Sequence, residues 1–282
     1  MNKYNDRKYR FGRNLSTFVV NTTLKPLIVG KENVEHVSEL SKQFVVCGNH
    51  NHVWDQFPVM CATKVTIHWM AKQEYFEGKL APVFKFMGCI PVDRKNNPHQ
   101  SKEIALDYLS SGSTVGLFPE GTRNAPKEDY MKMIYSDLNT SFTFEEYKIL
   151  LKNSRARLSQ LQYLKQLFDE GKITYSEYSN GLFSVDALLR TLVTNKTITQ
   201  DDYEDSLLLP FKTGAVDMAM QTNSPILPFA VTGDYTLDND NLIVNFGEPF
   251  YVNNCSKEEA NNILRTKVKK LLVTNLGEIK TK

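Results

Sequence analysis

The sequence predicts an α/β protein with a mixed, mostly parallel sheet flanked by helices and an inserted all-helical subdomain. Short apolar runs alternate with helical patterns between residues 44 and 120, which is typical of a sheet covered by crossover helices. The same alternation resumes after residue 211. Residues 129–205, between these halves, are polar, rich in tyrosine and helical in period, without strand signals. A helical segment therefore interrupts the α/β pattern.

The individual elements follow from this alternation. Apolar runs of strand length lie at 44–47, 66–70, 89–92, 114–118, 226–231 and 242–246. Helical patterns lie at 54–63, 74–86, 100–111, 214–221 and after Ser256, which forms a capping box with Glu259. We assign 31–128 and 206–282 to the α/β domain, 129–205 to a helical insertion, and 1–30 to an N-terminal segment.

A five-residue pattern recurs in the insertion, as TFEEY at 143–147, TYSEY at 174–178 and TQDDY at 199–203. Each threonine has Glu or Asp three residues later, which is the arrangement of an N-terminal capping box. We expect the tyrosine one turn into each helix to be buried. Two interpretations remain open: a true repeat of helical hairpins, and a common helix start that is used more than once.

Length and composition favour an ordinary globular protein. A chain of 282 residues can bury one large core with an insertion. The 34 Lys and Arg residues nearly balance the 32 Asp and Glu residues, so bulk charge does not favour nucleic-acid binding. The four cysteines lie singly, without the pairs typical of zinc or redox sites. We therefore expect a reducing, intracellular compartment.

The N-terminal segment 1–30 interleaves basic and aromatic residues and then becomes amphipathic. It has no signal-peptide core, and no part of the chain approaches the roughly 18 apolar residues that span a bilayer. Two interpretations stay open. The segment can lie among lipid headgroups, with cations on anionic lipid and rings at the interface, or it can be a solvated basic arm followed by a core helix.

The densest group of chemically useful residues is GNHNHVWD at 48–55, between a predicted strand and a predicted helix. Ligands of α/β sheets bind at the carboxyl ends of strands. A turn there lets Asp55 fold back onto His50 and fix its imidazole tautomer, which makes His50 a general base for an alcohol. The sequence has no GxSxG motif and no obvious serine or cysteine nucleophile. Direct transfer of a group to the alcohol is therefore favoured over a covalent enzyme intermediate.

Two further strand ends carry phosphate-binding residue types. GCIPVDR at 88–94 delivers Arg94, and LFPEGTR at 117–123 delivers a turn that contains Gly121 and Arg123. Glycine permits close backbone approach, and a guanidinium forks onto phosphate oxygens. Together with His50 and Asp55, these residues predict a site for a phosphorylated alcohol.

These segments, followed by FKTGAVDMAM and SPILPFAVTG, resemble in order and spacing the four motifs of the glycerolipid acyltransferase family, over about 42–126 and 207–250. The resemblance implies that His50 is the base and Asp55 its orienting residue. It also implies an acceptor-phosphate site, formed by Lys72, Arg94, Glu120, Gly121, Thr122 and Arg123.

The same resemblance implies a reaction and its partners. The expected reaction moves a fatty acyl group from acyl-CoA or acyl-ACP, as cosubstrate, to the 2-hydroxyl of 1-acylglycerol-3-phosphate, giving phosphatidate. No other cofactor and no metal is expected. The expected partners are a lysophosphatidate-like lipid, the acyl carrier and a peripheral membrane surface, but no nucleic acid. We expect a cytoplasmic protein on the inner face of the membrane.

Two departures from the family pattern keep alternatives open. His52 stands where the family usually has a small residue, so His50, His52 and Asp55 are also a candidate metal-binding set of a metallohydrolase. The 129–205 insertion replaces a short link and leaves the acceptor open, with glycerol-3-phosphate or a lysophospholipid as alternatives. A non-catalytic membrane adaptor, whose insertion recruits a partner, is a third hypothesis.

Overall fold

The computed structural model describes residues 6–97, 99–138, 141–237 and 241–280. The chain forms two compact units. The first, here called the α/β unit, comprises Met1–Thr122 and Phe211–Lys282. The second, here called the insertion unit, comprises Arg123–Pro210.

Within the described residues the α/β unit contains one sheet of seven strands in the order β1-β7-β6-β2-β5-β3-β4. All neighbouring strands are parallel except β6 and β7, which are antiparallel. This mostly parallel sheet confirms the predicted fold class. The strands are Leu27–Val29 (β1), Val45–Gly48 (β2), Ile67–Lys72 (β3), Ile90–Val92 (β4), Thr114–Leu117 (β5), Ile226–Thr232 (β6) and Ile243–Phe246 (β7).

Helices connect these strands and form the insertion unit. In chain order they are Asp6–Thr23 (α1), Lys31–Leu40 (α2), Gln56–Ala62 (α3), Ala81–Phe86 (α4), Gln100–Ser110 (α5), Glu128–Ser136 (α6), Phe144–Asn153 (α7), Leu158–Asp169 (α8), Tyr175–Gly181 (α9), Val185–Thr194 (α10), Gln200–Asp205 (α11), Gly214–Thr222 (α12) and Lys257–Lys280 (α13).

The central strands are buried along their whole length. Every residue of β2, β5, β6 and β7 is buried, so the sequences of these strands are mostly apolar and do not alternate with exposed polar residues. β2 lies between β5 and β6. Since β2, β5 and β6 are parallel, the loops that follow them emerge at one edge of the sheet, where α/β proteins bind ligands.

Strand β1 was not predicted, and it lies inside the 1–30 segment. It pairs with β7 in parallel, with Leu27 opposite Ile243. Three residues are too few to show a periodicity, so only the pairing with a distant strand defines this element.

The prediction of one helix over 74–86 is wrong. The structure has a 3₁₀ turn at Gln73–Phe76 and then a separate helix, α4, with Pro82 in its first turn. Proline has no backbone N–H and clashes with a preceding helical turn, so it is tolerated at a helix start but not inside a helix. The helical pattern is therefore divided just before Pro82.

Helix α1 has two apolar faces. Tyr9, Val20 and Leu24 are buried in the core cluster of the α/β unit. Phe11 and Phe18 on the same helix are each 68% exposed. Among the described residues, no helix is both long enough and apolar enough to cross a bilayer.

The described residues of the insertion unit form helices joined by turns and loops, with no strand, and three of the helices start at the predicted caps. Thr143, Thr174 and Thr199 each accept a hydrogen bond from the backbone N–H three residues later, and the acid there accepts one from the threonine N–H. The tyrosines one turn into these helices, Tyr147, Tyr178 and Tyr203, are at most 2% exposed. The local capping rule therefore fixes where these helices begin.

Candidate active site

His50 and Asp55 meet in the loop between β2 and α3. His50 Nδ1 lies 2.9 Å from Asp55 Oδ2, and the His50 side chain keeps 18% exposure whereas Asp55 keeps 1%. A carboxylate only accepts, so Nδ1 is assigned as the donor and Nε2 is left free to take a proton. The turn brings together two residues that a continuous helix would separate, as the sequence predicted.

Other donors hold the Asp55 carboxylate in place. Oδ2 also accepts from the backbone N–H groups of Asn51 at 2.7 Å and His52 at 2.8 Å. Oδ1 accepts from the Tyr235 hydroxyl at 2.7 Å. Burial and the adjacent Asp55 charge raise the pKa of Tyr235 well above its ordinary value, so the phenol stays a donor at neutral pH. Charge-assisted bonds of this kind fix an anion strongly.

The His50 ring and backbone are fixed by the turn after β5. The ring stacks on Phe118, with centroids 4.0 Å apart and planes 13° from parallel. The His50 backbone N–H donates to Glu120 Oε1 at 2.7 Å, and Glu120 is only 3% exposed. A buried carboxylate offers acceptors and no donor for a phosphate. The geometry therefore gives Glu120 a positioning contact with His50, and its phosphate role stays a prediction.

The start of the His50 loop is attached to β6. Asn49 Nδ2 donates to Val231 O at 2.9 Å, and Val231 N–H donates to Asn49 Oδ1 at 2.7 Å. Gly48, before it, permits close packing, since a Cβ there would lie 2.2 Å from Phe229 O. The loop is thus held by both neighbours of β2.

Two cations lie at the 119–121 turn. Arg94, after β4, donates from Nη2 to Gly121 O at 2.5 Å. Gly121 has a left-handed φ of 68°, and a Cβ there would lie 2.9 Å from Lys212 Cε. The Lys212 backbone N–H donates to Pro119 O at 2.8 Å. Arg94 and Lys212 therefore both lie beside Gly121, whose own backbone N–H donates to Phe118 O at 2.9 Å.

The remaining predicted phosphate-binding residues are Lys72, Thr122 and Arg123. Lys72 ends β3 in register with Val92, two residues before Arg94, and its side chain is exposed. Thr122 follows Gly121 in the turn and is partly buried. Arg123 is exposed and is the first residue of the insertion unit. The phosphate roles of these residues stay predictions.

The metal-binding alternative for His52 finds no ligand cluster. The His52 ring stacks on Tyr235, with centroids 4.4 Å apart, and its Nδ1 accepts from Trp54 N–H at 3.3 Å. Within the part of the chain that the structure describes, no group of three or more His, Cys, Asp or Glu side chains is arranged to hold a metal ion. The His52 ring instead packs on Tyr235, the residue whose hydroxyl donates to Asp55.

A family model described as Acyltransferase matches residues 25–232, which is more than half of the chain. The chain belongs to the Acyltransferase family. The matched region contains β1 through β6 and so includes the His50 loop, Arg94 and the 119–122 turn.

The chain is also similar to two individual proteins, one in sequence and one in fold. The acyltransferase chain is 40% identical over 60 residues to a 1-acyl-sn-glycerol-3-phosphate acyltransferase of Bacillus subtilis, which is 21% of this chain and 30% of that protein. The aligned region thus spans less than a third of the relative. The crystal structure of the LPA acyltransferase PlsC from Thermotoga maritima matches with a TM-score of 0.53 at 16% identity, over 98% of this chain and 80% of that one. This likeness concerns the fold.

Two residues of the acyltransferase site were not predicted individually. Lys212 lies in the quoted FKTGAVDMAM segment, where a lysine before a helix is a weak signal by itself. Tyr235 follows the SPILPFAVTG segment, whose apolar run at 226–231 predicts a strand and no site residue. Its contact with Asp55 spans 180 residues of sequence, so no local pattern indicates it.

Proposed function

We propose that the chain transfers a fatty acyl group from acyl-CoA or acyl-ACP to the 2-hydroxyl of 1-acylglycerol-3-phosphate and so produces phosphatidate. The observation that carries the proposal is the His50–Asp55 pair, with Nδ1 and Oδ2 2.9 Å apart and the ring partly open to solvent. A histidine held in this way serves as a general base. Membership of the Acyltransferase family supports the reaction class.

The proposed step is a direct transfer. His50 Nε2 takes the proton of the acceptor hydroxyl, and the hydroxyl oxygen attacks the thioester carbonyl carbon. The C–S bond breaks as the ester forms, and the thiolate leaves with the proton from His50. Asp55 stabilises the imidazolium that exists between these two proton transfers.

Positive charge beside this pair supports a phosphorylated acceptor. Arg94 and Lys212 flank Gly121, and the next residue of the turn is Thr122. Guanidinium, ammonium and backbone N–H groups are the donors that phosphate oxygens accept from. We assign the acceptor phosphate to this turn, with Lys72 and Arg123 as further cations.

The direct test measures acyl transfer with labelled acyl-CoA and acyl-ACP against lysophosphatidate, glycerol-3-phosphate and a lysophospholipid. Wild-type protein is expected to turn over lysophosphatidate with one of the carriers, and His50→Ala is expected to lose nearly all turnover. Normal turnover by His50→Ala contradicts the mechanism. Turnover confined to another acceptor corrects the substrate, and no turnover with any pair contradicts the proposed function.

The exposed face of α1 supports peripheral binding to a membrane. Phe11, Leu15 and Phe18 are between 56% and 68% exposed, on a helix that also carries Arg7 and Arg10. Apolar side chains with adjacent cations suit an anionic lipid interface. Replacing the three apolar residues by serine should greatly reduce co-sedimentation with vesicles of phosphatidylcholine and phosphatidylglycerol.

A matched control comes from the insertion unit. Ile149, on α7, is 60% exposed, and Ile149→Ser should leave vesicle binding unchanged. Undiminished binding by the α1 variant would remove this face as the membrane contact.

A further inference from the structure

Tyr235 makes a contact that the reaction described above does not use. Its hydroxyl donates to Asp55 Oδ1 at 2.7 Å, on the oxygen opposite the one that faces His50. We propose that Tyr235 is a positioning residue, which orients Asp55 and thereby sets the basicity of His50. The inference rests on the proposed function for its kinetic readout, although its geometric basis is independent of the substrate.

The donors of Asp55 are divided unequally between its oxygens. Oδ2 accepts from His50 Nδ1 and from the backbone N–H groups of Asn51 and His52. These groups belong to the same short loop and move with it. Tyr235 is the donor described on Oδ1, and it comes from the segment after β6. Tyr235 therefore holds the carboxylate in one rotation relative to the segment after β6, which is separate from the His50 loop.

The backbone around Tyr235 is itself well fixed. Gly233 has φ 97°, and a Cβ there would lie 2.2 Å from Asn241 O, so the chain turns tightly after β6. Asp234 N–H donates to Asn241 Oδ1 at 2.9 Å across the base of this turn. The Tyr235 ring stacks on His52. The position of the hydroxyl is thus set by a turn and by a ring contact together.

The direction of the electrostatic effect follows from the contact. A donor on Oδ1 draws negative charge away from Oδ2 and weakens the hold of Asp55 on an imidazolium. Without the hydroxyl, the imidazolium form of His50 persists to higher pH. The titratable neighbours that the described contacts give to the pair are Glu120, which accepts from His50 N–H, His52 and Tyr235.

Tyr235→Phe removes the hydroxyl and keeps the ring on His52. We expect kcat to fall on the order of tenfold, because a charge-assisted hydrogen bond is lost. The Michaelis constant of the acceptor should change little. The rising limb of the activity profile against pH should move to higher pH, which a merely structural role would not cause.

Tyr203→Phe is the matched control. The Tyr203 hydroxyl donates to Asp186 Oδ1 at 2.8 Å, so this variant loses the same kind of bond inside the insertion unit. It should reduce the thermal unfolding temperature to a similar extent without moving the pH profile. An unchanged kcat and profile in Tyr235→Phe, or an equal shift in Tyr203→Phe, overturns the inference.

A readout without turnover separates this inference from the proposed function. The titration of the His50 imidazole can be followed by NMR, with its signal identified by its absence in His50→Ala. Its midpoint should move to higher pH in Tyr235→Phe relative to wild type. If wild-type protein transfers no acyl group, the proposed function fails while this midpoint still decides the role of Tyr235, and an unmoved midpoint overturns it.

Discussion

The contacts that stabilise each of the two units span very different distances in sequence. In the α/β unit, Asp55 and Tyr235 are 180 residues apart, and Asn49 and Val231 are 182 apart. In the insertion unit, each capping box joins residues three apart. The candidate site thus depends on the assembled sheet, whereas the helices of the insertion depend mainly on their own sequence.

The difference has a topological cause. Parallel strands cannot be joined by a tight turn, so their neighbours come from distant parts of the chain. Helical hairpins bury their apolar faces on the next helix along the chain. A substitution in the α/β unit should therefore change chemistry through remote partners, while the equivalent substitution in the insertion should change only local stability.

Asp55→Asn should show the largest difference in kcat between a substitution in the α/β unit and its match in the insertion unit. Asn keeps the shape but removes the charge that orients and stabilises His50, so kcat should fall on the order of 10³ to 10⁴. The matched change is Asp202→Asn, because Asp202 Oδ2 accepts from Thr199 N–H at 2.9 Å as a cap acid. That variant should retain wild-type kcat. Both are measured by acyl transfer, and a mild effect of Asp55→Asn would contradict the assigned role.

Lys212→Met should give the next largest effect. It keeps the stem beside Gly121 and removes the ammonium, so the Michaelis constant of a phosphorylated acceptor should rise about tenfold, with a smaller change in kcat. Lys172, an exposed lysine of the insertion unit, supplies the control Lys172→Met, which should leave both constants unchanged. An unaltered Michaelis constant in Lys212→Met would exclude a phosphate contact.

Thr174→Ala tests the local half of the comparison. Loss of the capping box at α9 should reduce the free energy of unfolding of the insertion unit by about 1 kcal/mol. Thr174→Ser should retain most of the stability, because its hydroxyl can accept from Glu177 N–H. Hydrogen exchange should increase in residues 158–182, while turnover stays at the wild-type level. Lost turnover would show that the insertion acts on the site.

Asp217→Asn should have the smallest effect, a loss of stability that depends on pH. Burial disfavours the Asp217 charge, but hydrogen bonds from Lys102 and Lys257 outweigh burial and lower its pKa to about 2. Because the folded-state pKa is depressed, the stabilisation is present above about pH 4 and is lost as the pH falls to about 2.

The free energy of unfolding of the wild-type protein should therefore exceed that of Asp217→Asn by about 0.5 kcal/mol at neutral pH. The difference is small because both lysines are partly exposed and screened by solvent. Denaturant unfolding at pH 7 and pH 3 should show this difference shrinking with acid. A constant difference would assign the effect to packing.

Sequence reasoning succeeded where the deciding interaction is local. The starts of α7, α9 and α11 were predicted because a threonine and an acid three residues apart satisfy the orphan N–H groups at the start of a helix. The apolar run at 226–231 predicted β6, since a fully buried strand is apolar along its length. The His50–Asp55 contact was predicted because a turn separates them.

Apart from the helix predicted over 74–86, which Pro82 divides, what the sequence missed involves a partner that is far away in sequence. β1 exists because it pairs with β7, and Tyr235 is informative only beside Asp55. The contact of the Glu120 carboxylate with His50 N–H, across 70 residues, was likewise not predicted from the EGTR turn. A motif indicates which residues gather at a site, but the direction in which each side chain points depends on the assembled sheet.

The hydrogen bond from Lys212 N–H to Pro119 O has a consequence for how this chain can be altered. It holds the turn that precedes residue 123 beside the segment that follows residue 210, inside the α/β unit. A segment with adjacent ends can be exchanged for one of another length without reshaping the host, which is how circular permutation and domain insertion succeed. The junction between Thr122 and Phe211 is accordingly a natural grafting point, where a short linker or a foreign module can replace residues 123–210.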